Sequence, residues 1–448
     1  MSRAFVPFVL ASGLALACGC ASTGAMHAAS RGDFASLKTQ VAARERAGTL
    51  GNHEAAQLAR AVAAWEIANA PKDEQAARVK DVRSCAREVA SALDDRAGTH
   101  DAAGAEAALA LVEAGTWSAG SARDFLSDKD DAWRAVGARG LIRQDDDAAA
   151  RAHAFVDPAP AVRRAAMHAA VVARDPRDVD VLAEAARLDP ETIVRTDATR
   201  ALGAIGGAAA FSKLRDLWTS ADDPQREDIA SAYADPATFL AGGRDELRVL
   251  LASGHGPAAI EAAGAVLRAT THDDGTLAAS PRRGPHQSEL DSSAAALLAR
   301  SIAKASQRDR LHAIAVTPFT TSGPILDALH AASTESDLTI RIAVLARLAA
   351  HSVDHDASVA ALEALAAPTT TSNAVLASRA RLALAAAGDL RIQAWLEADL
   401  AAPDSTQRLS AATALSTLGR VARAAPLLAD ADASVRTRAA CTILLGAR

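Results

Sequence analysis

Large side chains are scarce in this chain: aromatic residues make up 3 % of it, and only one of them is tyrosine. Half of the residues are hydrophobic, alanine foremost, so the apolar surface is small and evenly spread and suits closely packed helices. A basic stripe is missing as well. The formal charge is −6, which argues against a nucleic-acid binder, because such proteins neutralise phosphates with clustered basic side chains. Lysine supplies only six of the 48 basic residues, and the arginine excess is read as the codon bias of a GC-rich genome. Cysteines number four, two of them at positions 18 and 20. With 448 residues the chain exceeds the size at which a single core stops growing, so several domains or an elongated repeat array are the options. The composition favours the array.

The N-terminus carries an address. Arg3 is followed by an apolar run from Ala4 to Ala17 and then by Cys18-Gly19-Cys20. The run is too short to span a bilayer as a helix, and small residues before a cysteine complete the pattern of a secretory signal. Residues 1–20 resemble the signal of bacterial lipoproteins, in which such a cysteine is lipidated and becomes the new N-terminus. Either Cys18 or Cys20 fits, each with an alanine or glycine before it, although neither has the leucine three residues upstream that the family prefers. The resemblance implies an exported, membrane-anchored protein, facing the periplasm or displayed at the cell surface, with residues 21–32 as a short tether. Cys85 and Cys441 are expected at opposite ends of an extended array, as unpaired buried residues.

A repeating frame is visible along most of the remaining chain. Val194-Arg195 is followed by Ala198, Ala201, Leu202, Ile205 and Gly206. The same frame recurs at Val162-Arg163, Gln407-Arg408, Val435-Arg436, Ile340-Arg341 and Trp133-Arg134, with a weaker copy at Leu376-Ala377. Apolar residues at these spacings line one face of a helix. Asp130, Asp337, Asp404 and Asp432 each stand four residues before the repeat arginine, where an aspartate caps a helix N-terminus. Asp157 and Asp189 stand six before it and are followed by proline. A second apolar helix follows each copy, marked by Leu182, Leu214, Leu396 and Leu427.

This frame resembles the short HEAT-like repeats whose signature is Asp-Pro-x-Val-Arg-x-x-Ala-x-x-Ala-Leu-x-x-Leu-Gly, over residues 117–446. The resemblance implies an all-α fold, an α-α superhelix of antiparallel helical hairpins. It also implies a structural ladder between Arg134, Arg163, Arg195, Arg341, Arg408 and Arg436 and the aspartates of neighbouring repeats. Tetratricopeptide repeats are disfavoured because their aromatic pattern is missing. Residues 221–270 read as two degenerate hairpins around Ile229 and Ile260, and 271–288 as a long loop within the array. Residues 33–116 are helical by pattern, a divergent cap for the first repeat.

Candidate chemistry is thin. His351 and His355 with Asp354 and Asp356 have metal-like composition, but the frame puts them at a hairpin turn. Ser301-x-x-Lys304 lacks the companion elements of penicillin-interacting enzymes, His272-Asp273-Asp274-Gly275 lacks the rest of a calcium loop, and Gly203-x-x-Gly206-Gly207 closes a helix where a phosphate cradle would open one. No catalytic residue, metal or cofactor is therefore assigned. The expectation is a membrane-tethered, non-enzymatic scaffold that binds a protein or peptide along a face of the solenoid, with Trp395 on the second helices as a partner contact. The alternatives are a HEAT-like enzyme of the lyase-type branch and a structural spacer in an envelope assembly.

Overall fold

Alanine-rich segments with an aspartate before them have little choice but to form helices: alanine loses no side-chain freedom there, and the aspartate satisfies an otherwise orphaned amide. The computed structural model describes residues 24–142, 147–270, 287–318, 323–351, 354–367 and 373–448, and the described residues are helices joined by turns, with no strand. Asp130 accepts from Ala132 N at 2.9 Å, Asp337 from Thr339 N at 2.8 Å, Asp404 from Thr406 N at 3.1 Å and Asp432 from Ser434 N at 2.8 Å. Such caps each contribute about 1 kcal/mol. Cys18, Cys20 and nearly all of the expected 271–288 loop lie outside the described residues.

The described residues divide into two compact units, one within 115–387 and a second made of 24–114 together with 388–448. In unit 115–387 helices alternate between two layers. Asp131–Arg139, Pro160–Ala173, Thr192–Ile205, Asp223–Tyr233, Pro257–Thr270, Gln307–Val316, Leu338–Ala349 and Ala374–Ala386 stack successively in the first layer. Asp147–Ala154, Val179–Leu188, Gly207–Trp218, Arg244–Ser253, Gln287–Lys304, Pro324–Ala332 and His355–Ala366 form the second. The small residues of the repeat frame permit this stacking: Ala166, Ala170, Ala198 and Ala201 are wholly buried. Gly137 shows how tight it is, since a Cβ there would stand 2.7 Å from the backbone nitrogen of Leu126. Gly206, in the left-handed region at φ 67°, both ends Thr192–Ile205 and precedes Gly207–Trp218, so its role is a hairpin corner.

The other unit corrects two expectations. Residues 33–116 were expected to cover the first repeat, with 117–446 as one array; instead, residues up to 114 share a unit with the last repeats. Helix Asn52–Asn69 lies along the final helix Ala433–Gly446. Asn52 Nδ2 donates to Gly419 O at 3.1 Å while its Oδ1 accepts from Ala422 N at 3.1 Å, and Ser434 Oγ donates to Asp81 at 3.0 Å. Cys85 and Cys441, expected to be apart and unpaired, form a disulfide with Cα atoms 5.5 Å apart. Cysteines 356 residues apart in sequence thus meet within one unit. An apolar helix face at the end of a solenoid has to be covered, and here the N-terminal helices cover the last repeat.

Candidate functional site

The repeat arginines build a ladder with one grammar. In five of the six clear copies Nη1 donates to the two carbonyls six and five residues earlier: Asp128 and Lys129 for Arg134, Asp157 and Pro158 for Arg163, Asp189 and Pro190 for Arg195, Ala402 and Pro403 for Arg408, and Asp430 and Ala431 for Arg436. The rest of the guanidinium reaches forward to the next repeat. Arg134 Nε meets Asp157 at 3.0 Å, Arg163 Nε meets Asp189 at 2.7 Å, Arg195 Nη2 lies 3.6 Å from Asp222, and Arg408 Nη2 meets Asp430 at 3.1 Å.

Each acceptor also holds its own loop. Asp157 accepts from Ala159 N at 2.8 Å, Asp189 from Glu191 N at 2.9 Å and Asp430 from Asp432 N at 2.9 Å. Burial pushes the Asp157 carboxyl up, but its bonds to Arg134 and Ala159 N outweigh that and hold it below the usual carboxylate range. Asp157, Asp189 and Asp430, each six residues before an arginine, thus link repeats, whereas Asp222, the acceptor for Arg195, is itself a helix cap.

The ladder includes members that the frame did not flag. Arg310 Nη2 donates to Glu335 at 2.6 Å, with Ser306 in the capping place. Arg226 follows the cap Asp222 by four and lies over the Trp218 ring. A second-layer arginine, Arg151, is 1 % exposed and binds Asp178 at 2.7 Å. Arg341 Nε is buried with no hydrogen-bond partner among the described residues. For Arg436 the carboxylate comes from Glu66 of Asn52–Asn69, at 2.5 Å, while Phe34 lies under the guanidinium at 4.0 Å. Burial raises the Glu66 carboxyl, with Arg436 opposing.

A second row of charge runs outside this ladder, on the first-layer helices. Arg164 Nε meets Asp197 at 2.8 Å and His168 Nε2 lies 3.3 Å from the same carboxylate. Arg200 meets Asp228 at 2.9 Å, and further along Glu261 accepts from Arg268 at 2.6 Å and faces His312 Nε2 at 3.1 Å. The carboxylates sit deeper than the cations: the Asp197 side chain is 5 % exposed and that of Arg200 60 %. Burial raises Asp228 and Glu227, whereas the bond to Glu261 raises His312. This row presents arginine and histidine to solvent above a half-buried acidic floor, a surface suited to ionic and hydrogen-bonded contact with another macromolecule.

The remaining sequence candidates gather no site. Trp395 lies half-buried on the short helix Gln393–Asp399. His355 starts His355–Ala366 with Nδ1 at 2.7 Å from Ala349 O, and Asp354 sits between His330 and His351. No group of three metal-ligating side chains occurs among the described residues. Ser301 is buried while Lys304 is exposed, so the pair does not share one environment, and His272 lies outside the described residues.

Comparison with known proteins gives the fold a family context. Residues 154–234 match the family described as HEAT repeats. No curated protein matches the sequence. Among solved structures the chain is similar to Kap121p bound to Nup53p, at 11 % identity and a TM-score of 0.34, covering 89 % of this chain and 48 % of that one. It is also similar to importin beta, at 14 % identity and a TM-score of 0.29 over 91 % of this chain and 60 % of that one. Human deoxyhypusine hydroxylase is similar at 19 % identity and a TM-score of 0.23, over 69 % and 97 %. The chain spans about half the length of the first of these structures. Residues 154–234 are thus similar to HEAT repeats, and the described residues form an all-α fold of packed helical hairpins.

Proposed function

We propose that this protein is a membrane-tethered, non-enzymatic interaction scaffold of the bacterial envelope, and that it binds a protein or peptide along the outer charged row of unit 115–387. The observation that carries this reading is the row itself. Arg164 and Arg200 stand on successive first-layer helices, each over a carboxylate of the next helix, and further along Arg268 pairs with Glu261 of its own helix, which faces His312 of the next. Solvent-facing arginines pre-oriented by such bonds lose little freedom on binding, which favours them as contact residues. The row replaces Trp395 as the leading contact candidate, because it is repeated along the array and more exposed.

Export is supported by two features of different kinds. One is the signal-like segment with Cys18 and Cys20. The other is the Cys85–Cys441 disulfide, since such bonds persist in oxidising compartments and are rare in reducing cytosol. Among the described residues no helix is long and apolar enough to cross a membrane. The anchoring part of the proposal is tested by the mass of the mature N-terminal peptide. An acylated Cys18 or Cys20 is expected there, and an unmodified N-terminus would remove the tether.

A further inference from the structure

A cleft in the unit that joins the two chain ends borders the ladder at Arg408 and Asp430. It lies between helix Phe34–Arg46 and the segment from Glu397 to Ala431, with a volume of about 730 Å³. That is the size of a small-molecule site, where an apolar floor is usually combined with a few converging polar groups. Leu400, Pro426 and Leu427 supply the floor, and Lys38, Arg46 and Glu45 stand on the opposing helix.

The charges around it are unequally committed. Arg408 is paired with Asp430, and Arg423 lies 3.5 Å from Glu397. Lys38 is exposed, and Arg46 is exposed with Nε donating to Ala42 O at 3.2 Å. Glu45 is half-buried beside Arg423 and Glu397. With the two ion pairs neutral, Lys38 and Arg46 leave positive charge at the mouth of an apolar cleft.

We propose that this cleft binds a ligand carrying a carboxylate on an apolar body, with the carboxylate held by Lys38 and Arg46 and bridged to the Glu45 carboxyl, and the body against Leu400, Pro426 and Leu427. Burial pushes Glu45 up to about 7, with Arg423 opposing and Glu397 reinforcing the shift. Near neutral pH Glu45 can therefore donate a hydrogen bond to an incoming carboxylate, and above it the two groups repel. The other titratable groups lining the cleft are Glu397 and Asp430, ion-paired to Arg423 and Arg408, and the cations Lys38 and Arg46. Affinity should fall about tenfold between pH 6 and pH 8, the factor expected when binding requires a proton on a group that titrates near 7.

The test uses the full, oxidised chain and 4-(trifluoromethyl)benzoate, followed by fluorine NMR at pH 6, 7 and 8, with the corresponding benzamide as neutral control. A second arm uses an acetylated Leu-Phe dipeptide with a free or an amidated C-terminus, which distinguishes a small organic acid from a peptide end as the source of the carboxylate. The expected result is binding of either carboxylate but of neither amide. That binding should weaken about tenfold from pH 6 to pH 8 in the native protein and stay constant in Glu45→Gln, whose amide keeps a donor at every pH. The double variant Lys38→Ala/Arg46→Ala, both sites being exposed, should keep its helical circular dichroism and bind at least about tenfold more weakly. Equal binding of acids and amides, a pH dependence unchanged in Glu45→Gln, or full affinity in the double variant would overturn the proposal.

Discussion

Breaking the covalent link between Cys85 and Cys441 should loosen the unit that joins the chain ends more than any other single change. The two sulfurs close a loop over a sequence separation of 356 residues, and both cysteines are buried, at 0 % and 3 % exposure. The chain-entropy relation gives about 6 kcal/mol at 25 °C for a loop of that length. The reduced chain keeps local hairpin structure, so the realised loss is smaller, about 2–5 kcal/mol. With a urea m-value of about 2–3 kcal/mol per molar, the midpoint for this unit should fall by about 1 M or more in Cys85→Ala/Cys441→Ala. The assay is urea unfolding followed through Trp65, which packs edge-on against Phe34 within the same unit at 5.1 Å. Oxidised and reduced native protein, compared under identical conditions, remove any packing effect of the substitution. Equal midpoints for the two redox states would refute the argument that the bond restrains the ends.

Other outcomes follow from the ladder and from the packing. Arg163→Ala strands the Asp189 carboxylate, 5 % exposed, and should cost about 3–5 kcal/mol in unit 115–387, measured by chemical denaturation; a loss under 1 kcal/mol would show that the ladder contributes little. Gly137→Ala forces a methyl against the Leu126 backbone and should destabilise the same unit by about 1–3 kcal/mol, read as a lower Tm. His312 is raised by its bond to Glu261, so its stabilising contribution is complete below its ordinary value of 6.5 and is lost as pH rises through the folded value. His312→Gln should accordingly flatten the fall in urea midpoint between pH 6 and pH 8, and an unchanged slope would exclude the Glu261 contact as its source. Asp157 is shifted the other way: its contribution is present above pH 3.8 and disappears as pH falls, so Asp157→Asn should make the acid limb of the stability profile shallower.

The helices were readable because the sequence repeats its own evidence. Val-Arg, the following alanines and the aspartate four before the arginine each point to the same helix start and the same buried face, and in the clear copies they agree. The frame faded where other residues perform the same physical task. At Arg310 the cap is Ser306, Asp309 stands for the valine and the forward acceptor is a glutamate, Glu335, so little of the motif beyond Arg310 and Ala313 survives although the geometry does. At Asp222 and Arg226 the spacing of cap and arginine is intact, but Gln225 replaces the valine because its amide bonds Ala186 O at 2.8 Å in the interior. The pairing of the ends was not legible at all. Cys85 and Cys441, or Glu66 and Arg436, are related only through the folded chain, and no local pattern marks Glu66 as the partner of a repeat arginine. The outer row was hidden for a similar reason: in Arg164–Asp197 and Arg200–Asp228 the partners sit on neighbouring helices, about thirty residues apart, and look like ordinary surface charge when read singly.

The claim that this face holds a macromolecular partner is tested most directly by charge reversal along the row. Arg164→Glu/Arg200→Glu/Arg268→Glu would be compared with the native chain and with a control reversed at the exposed Arg177 and Arg391, in cross-linked affinity capture from membranes with quantitative mass spectrometry. The account predicts a partner retained by the native chain and by the control and depleted by at least about tenfold in the row variant, with all three chains equally helical. A partner captured equally by all three, or no reproducible partner at all, would contradict it.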